Sequence, residues 1–293
     1  MTEVAEFEQH RQRLRSVAFR MLGSLTEADD AVQEAWLRFD RTDTSDVENL
    51  GAWLTTVVAR VSLNLLRSRA QRREDPLETH VPDPIISAAT GIDPEHEAVL
   101  ADSVGLALLV VLETLTPAER LAFVLHDTFG VPFDEIAPMI DRTPDAARQL
   151  ASRARRRVRG IAPTHDRDPV RQREVVSAFF AAARDGDFDA LVAVLHPDVI
   201  LRSDGGVVRA RHTVVLEGAE IVAGQALTFG SLSPFAIPAL INGTAGVVVA
   251  NAGRPLSVMA FAVVDGRIAS IDVLADPERL ARLDLSALNQ KTI

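Results

Sequence analysis

The sequence predicts a multidomain protein in which two all-α domains precede an α+β domain. Three observations carry this expectation. Apolar residues recur at helical spacing, without strand-like alternation, as far as Arg159. Within that stretch, a short helix, a tight turn and a longer basic helix follow one another from Phe133 to Arg159, the helix-turn-helix layout. From 198 to 275 apolar and polar residues alternate at the two-residue period of half-buried strands, broken at Asn242-Gly243, Gly253-Arg254-Pro255 and Asp265-Gly266.

The elements read in order as follows. From Glu6 to Leu22, Phe7, Leu14, Val17, Ala18, Met21 and Leu22 form a buried stripe, and Gly23 closes the helix. Thr26 is the expected cap of a second helix, with Ala31, Val32, Ala35, Trp36 and Phe39 inward. A third helix runs from about Leu50 to Arg69, with Trp53, Leu54, Val57, Val58, Val61, Leu65 and Leu66 inward. Residues 1–75 are thus one helical bundle. Residues 76–98, rich in Pro and acid, read as an exposed linker held extended by Pro82, Pro84 and Pro94. Residues 99–162 form a second helical domain: an apolar helix from Val99 to Leu115, another opened by Thr116-Pro117, and the helix-turn-helix with its turn at Asp141-Arg142-Thr143. Residues 163–293 are the α+β domain, helical from 170 to 195 and stranded after that.

Charge sharpens the picture. The chain carries 31 Lys and Arg against 41 Asp and Glu, a net charge of −10, which at first argues against a nucleic-acid partner. Its distribution reverses that inference. Arg60 to Arg73 holds five arginines and no acid, and Arg142 to Arg159 holds seven arginines and one acid, whereas 76–110 holds six acids and no Lys or Arg. With no Cys in 293 residues, disulfides, thiolate metal sites and cysteine nucleophiles are excluded. The N-terminus lacks the apolar run of a secretory signal, and no stretch nears the roughly 18 apolar residues of a membrane span. A cytoplasmic protein with no membrane partner is expected, and no metal or cofactor.

On the helix from Pro144, Asp145, Arg148, Gln149 and Ser152 share a face near the end that reads base edges; Arg148 suits guanine and Gln149 adenine. Arg153, Arg155, Arg156 and Arg157 lie further along and suit phosphates, or alternatively only complement the helix dipole. On the third helix, Trp53, Thr56, Arg60, Asn64, Arg67 and Arg69 could meet unstacked bases. Trp53 fits a core position equally well.

These residues resemble those of the extracytoplasmic-function sigma factors of bacterial RNA polymerase. The strings FRMLGSLTEADDAVQEAWLRF (19–39) and AWLTTVVARVSLNLLRSRAQRRE (52–74) resemble sigma region 2, and LTPAERLAFVLHDTFGVPFDEIAPMIDRTPDAARQLASRARRRVR (115–159) resembles region 4. The resemblance implies core RNA polymerase and promoter DNA as partners. Asp29, Asp30, Gln33 and Glu34 would dock on the clamp helices of the largest subunit, and the flap would be a further polymerase contact. Region 2 would recognise and melt the minus-10 element and region 4 would read the minus-35 element. Asn64 stands where many relatives carry Asp.

The remaining chain resembles the SnoaL-like cone appended to the Sigma-J type of these factors, through HPDVILRSDGGVVRA (196–210) and ADPERL (275–280), with HVPDP (80–84) as the remnant of a Pro-rich linker motif. Such members are described as lacking a separate anti-sigma partner. Asp204, Gly205, Gly206, Asp276, Pro277 and Leu280 are the expected regulatory contacts, docking the cone on regions 2 and 4. Cones can be enzymes, and His196, Arg202, Asp204, His212 and Asp272 are the candidates for acid–base work, but no pair has motif spacing, so no catalytic residue is expected. Two other readings stay open: a ligand-sensing DNA-binding regulator acting without polymerase, and a cone enzyme fused to a DNA-binding module.

Overall fold

The computed structural model describes residues 3–44, 46–72, 80–89, 105–161, 168–286 and 288. Linker residues 76–79 and 90–98, with Pro94, Arg73 and the start of the helix expected from Val99, lie outside them. The chain divides into two compact units, 1–75 with 111–161 and 76–110 with 162–293. Residues 111–161 of the second helical module therefore share a unit with the first, and the linker belongs with the C-terminal domain.

In the first unit, α1 (Glu3–Leu22), α2 (Leu25–Phe39) and α3 (Leu50–Arg72) form the bundle. Phe7, Leu14, Val17 and Met21 of α1 are fully buried, and Phe7 meets Trp36 edge-on at 5.0 Å. The cap of α2 is Ser24 rather than Thr26: its hydroxyl accepts from the Glu27 N–H at 3.4 Å. Gly23, at φ 70°, turns the chain out of α1 and leaves Ser24 in the extended backbone that a cap requires. On α3, Leu54, Val58, Val61 and Leu66 are buried as expected, while Trp53, Val57 and Leu65 are only half-buried.

After α4 (Leu106–Glu113), Thr116 caps α5 (Pro117–Phe123) through a reciprocal box with Glu119. The helix-turn-helix follows as α6 (Phe133–Ile136), extended by a 3-10 turn over Ala137–Met139, then the expected turn at Asp141-Arg142-Thr143 and α7 (Pro144–Ile161). The turn contains no Gly; Asp141 takes the left-handed conformation at φ 56° instead. Alanines let α7 pack closely, since its buried stripe is Ala147, Ala151, Ala154 and Val158.

One polar group ties the two modules of this unit together. Arg120 on α5, 2% exposed, donates to Glu113 at 2.9 Å and to the carbonyl of Arg20 on α1 at 3.1 Å. The Arg20 guanidinium in turn lies 4.9 Å from the Phe129 ring centre. A buried guanidinium is tolerated only because an acid and a carbonyl meet it.

The second unit is a seven-stranded sheet in the order β1-β4-β5-β6-β7-β2-β3, with β1 (Ile86–Ala88), β2 (Leu195–Asp204), β3 (Val214–Glu217), β4 (Ala236–Ile241), β5 (Thr244–Asn251), β6 (Arg254–Val264) and β7 (Arg267–Leu274). Only the β2–β7 pairing is parallel. Helices α8 (Pro169–Asp185), α9 (Phe188–Val194) and α10 (Ala219–Thr228) cover one face, where Phe179, Phe180 and Phe261 cluster with ring centres 5.6–6.0 Å apart. Asp276 caps a final turn of helix, α11 (Pro277–Leu280). The Asn242-Gly243 and Asp265-Gly266 turns have both residues at positive φ, as two-residue hairpins require. The expected break at Gly253-Arg254-Pro255 lies one residue earlier, at Ala252-Gly253. Helix α10, within the stretch read as strand, has no polar face to give it a helical signature.

The expected exposed linker is corrected over its described part. Val81 is fully buried, Ile86 is 6% exposed, and 86–88 form β1, pairing antiparallel with β4. The physical reason is an open sheet edge: β4 carries unmet backbone groups on that side, and a Pro-rich extended segment is already shaped to meet them.

Replacing Arg120 with Met, similar in length but uncharged, takes the guanidinium away from the buried Glu113 carboxylate and the Arg20 carbonyl. Denaturant unfolding should show a loss of about 3 kcal/mol or more, with Glu113→Gln less damaging because it keeps an acceptor for the guanidinium.

Candidate functional site

The helix-turn-helix presents a basic outer surface. Because the alanine stripe of α7 faces inward, Asp145, Arg148, Gln149, Arg153, Arg156 and Arg157 are exposed and Ser152 and Arg155 half-exposed. Arg148 is held in place, 2.7 Å from Asp145 and 5.5 Å from the Phe133 ring centre. Arg155 pairs with Asp127 at 2.7 Å, a contact that raises its pKa, and Arg157 donates to the Thr114 carbonyl at 3.2 Å. Arg153 and Arg156 have no ion-pair partner among the described residues. Thus the phosphate candidates divide into two that brace the unit and two open to solvent.

On α3, Thr56, Arg60, Asn64 and Arg67 follow one another at helical spacing; the last three are exposed and Thr56 half-exposed. Arg69 departs from the expectation. It is half-buried, ion-paired with Glu27, and donates to the Leu22 carbonyl at 3.0 Å, bridging the end of α1 and the start of α2. Trp53 lies 6.4 Å from Phe39, half in the core. Thr56 also lines a cavity of about 290 Å³ whose other wall is Phe129, Pro132, Glu135 and Met139 of the helix-turn-helix module.

The acidic face of α2 is open. Asp29, Asp30 and Gln33 are exposed and Glu34 about half-exposed; Asp29 pairs with Arg15 at 2.6 Å and Glu34 with Arg38 at 2.9 Å. Both pairs are solvent-screened and weak, so exchange for a basic partner costs little.

The expected regulatory residues converge, but on the linker. Arg279 of α11 donates through Nε and Nη2 to Asp83 at 3.0 and 2.6 Å, through Nη1 to Asp204 at 2.8 Å, and through Nη2 to the Val81 carbonyl at 2.6 Å. Asp204 also accepts from the Val81 N–H at 3.2 Å, and His80 Nδ1 stands 3.4 Å from it. Burial opposes ionisation of Asp204, but hydrogen bonds from His80, Val81 and Gly206 and the Arg279 charge outweigh it and hold the carboxyl below its ordinary pKa.

Further along the linker, the Ile85 N–H donates to Asn242 at 3.0 Å, the Asn242 N–H returns a bond to Ile85 at 2.8 Å, and Arg173 reaches the Ala89 carbonyl at 3.0 Å. The glycines are demanded by space. A side chain at Gly205 would strike the Arg209 backbone and one at Gly206, at φ 61°, would strike Asp276. Pro277 starts α11 and Leu280, 2% exposed, anchors it in the core, so both act by building the platform for Arg279. Asn242 was read from the sequence only as half of a turn, and Arg279 and Asp83 were not singled out. Their only signal was a lone Arg in ADPERL and a lone acid in HVPDP.

The acid–base candidates do not converge. Arg202 and Asp272 pair across β2 and β7 at 3.4 Å, where burial pushes the Asp272 carboxyl up to about 6 despite Arg202 and Ser270. Asp204 is held in the linker clip, and His196 accepts from the Asp198 N–H at 3.1 Å. His212 is exposed, with its ring 6.1 Å from that of Phe229. Among the described residues no helix is long and apolar enough to cross a membrane.

A helical bundle with an acidic face and a basic α3, joined to a helix-turn-helix with an outward arginine surface, defines a two-module transcription factor. The Sigma-70 region 2 family matches residues 7–72 and the Sigma-70, region 4 family matches 105–158. The chain is 40% identical to the ECF RNA polymerase sigma factor SigJ of Mycobacterium tuberculosis, over 94% of this chain and 93% of that one. It is 36% identical to the probable ECF RNA polymerase sigma factor SigI of the same species, over 94% of each. The crystal structure of M. tuberculosis SigJ superposes with a TM-score of 0.74 at 36% identity, covering 96% of this chain and 99% of that one. The chain belongs to the extracytoplasmic-function RNA polymerase sigma factors, a family that is not enzymatic.

Two outcomes follow for the clip. Arg279→Ala should raise amide-hydrogen exchange of Val81 to Ala88 by tenfold or more, read by mass spectrometry, while α1 to α3 stay protected. Because the Asp204 pKa is lowered on folding, its contribution is fully present above the ordinary carboxylate pKa and is lost as pH falls through the lowered value. Linker protection should therefore not fall between neutral pH and about pH 5, where a proton gained by His80 only strengthens its contact with Asp204, and should decline below about pH 4.

Proposed function

We propose that this sigma factor binds core RNA polymerase through the acidic face of α2 and directs initiation at promoters read by α3 and α7, with the C-terminal domain tuning that activity in cis by gripping the linker. Support for the first part lies in one observation: region 4 and region 2 sequences fold so that Arg148 and Gln149 stand on the outer face of α7 while Asp29, Asp30, Gln33 and Glu34 stand open on α2. Arg148 reads a guanine edge and Gln149 an adenine edge in the minus-35 element. Arg153 and Arg156 neutralise phosphates on either side. At the minus-10 element, Thr56, Arg60, Asn64 and Arg67 supply polar contacts to opened bases, and Trp53, half-exposed, supplies a stacking edge. The clamp helices of the largest subunit are the partner whose basic charge fits α2, and the flap engages region 4.

The regulatory part rests on where the linker lies. It connects two modules that must address two separated promoter elements, and residues 81–89 are bound along the sheet of the C-terminal domain. Grip on that segment shortens the free tether between regions 2 and 4 and biases their separation. Inhibition or activation then follows from a segment of the same chain, without a separate anti-sigma factor. With a net charge of −10, the isolated factor binds promoter DNA weakly and acquires affinity when polymerase holds its basic helices in place.

Run-off transcription with purified core polymerase tests both parts. On a cognate promoter, Arg148→Ala should lower the yield about tenfold, matching the loss of one bidentate base contact, whereas Arg153→Ala with Arg156→Ala should weaken binding to all sequences alike. Arg279→Ala should change the yield from the same promoter. Equal yields from the wild-type and Arg279→Ala factors would overturn regulation through the clip while leaving the sigma activity standing.

A further inference from the structure

The C-terminal domain encloses a cavity of about 240 Å³ between α8, α10 and the concave face of the sheet. Its walls are apolar, chiefly Phe180, Leu201, Phe229, Val249 and Met259. Strand alternation separates it from the charged pair behind: Leu201, Ser203 and Val273 line the cavity, so Arg202 and Asp272 face the opposite side of the sheet. The cavity therefore contains no carboxylate; among its described lining residues the titratable groups are Arg209, Arg211 and His212. All three come from the turn around Ala210–His212. Arg209 is braced by the Leu256 and Ala275 carbonyls at 3.4 Å each, whereas Arg211 is exposed with no ion-pair partner among the described residues.

A closely packed domain does not retain an apolar void of this size without loss, and cavities lined this way are the usual form of small-molecule sites. The charge at its mouth selects the ligand. We propose that the cavity binds a small molecule with an apolar body and a single carboxylate, the body against Phe180, Val249 and Met259 and the carboxylate at Arg211, with His212 as a second donor. A cationic ligand is repelled by this rim, and a polyphosphate has no polar wall to solvate its remaining charges. Acid–base turnover of the ligand is disfavoured because His212 has no carboxylate in the cavity to orient it. The site does not depend on the linker clip and holds whether or not the clip regulates transcription.

Isothermal titration calorimetry of the full chain with decanoate, decanol and decyltrimethylammonium tests the proposal. Decanoate should bind one saturable site, decanol at least tenfold more weakly, and the cation not at all. Arg211→Glu, at an exposed position, should weaken decanoate at least tenfold and leave decanol unchanged. Ser257 of β6 also lines the cavity, and Ser257→Phe, which fills it, should abolish both, with circular dichroism confirming the fold; should that variant not fold, Arg211→Glu decides alone. Equal affinity for decanoate and decanol would overturn the carboxylate assignment. Decanoate binding that Arg211→Glu leaves intact would place the ligand elsewhere, for example on the arginines of α7, and overturn the site.

Discussion

The Arg279 guanidinium is the constraint on which the second unit turns. It is about one-fifth exposed and meets two carboxylates and a main-chain carbonyl, from two stretches of chain far from it and from each other in sequence. A buried cation with so many donors is stable only when nearly all are met, so its partners must be delivered together. Asp204 comes from the end of β2, next to glycines that let the loop close against Arg209 and Asp276. Asp83 and Val81 come from the linker, and Arg279 itself from a helical turn capped by Asp276 and anchored by Leu280. Removing any one leaves the remaining buried charges with fewer partners, and the clip adds to the burial of Val81 and Ile86 in holding the segment.

A second buried arginine plays the matching part in the first unit. Arg120 reads the carbonyl of Arg20 and the carboxylate of Glu113, and so joins α1 of the bundle to the helices of region 4. The consequence for DNA binding is geometric. Thr56 of α3 shares a cavity with the helix-turn-helix module, while α7 keeps Arg148 and Gln149 outward.

Much of this was legible from the chain. The helices of the bundle, the Thr116 capping box, the helix-turn-helix and the two Asx-Gly hairpins all follow from local patterns, because spacing and caps act within a few residues. The outward set on α7 was legible for the same reason: alanines at 147, 151 and 154 leave no doubt which face is inside. One error was local and another arose where a distant partner decided. Ser24 displaced Thr26 because Gly23 reversed the chain, and Arg69 turned from a DNA candidate into a brace because Glu27 and the Leu22 carbonyl lie within its reach.

The segment 80–89 marks the boundary between the two kinds of information. Its prolines by themselves determined an extended, helix-free stretch, and the basic helices on either side determined a nucleic-acid role despite a net charge of −10. Only the tertiary structure decided that this stretch would be a strand: the free edge of β4, Asn242 at a left-handed turn, and Arg279 almost two hundred residues away supply its partners. Local backbone preference is written in neighbouring residues, whereas a hydrogen-bond partner for an extended chain is a matter of what folding brings alongside it.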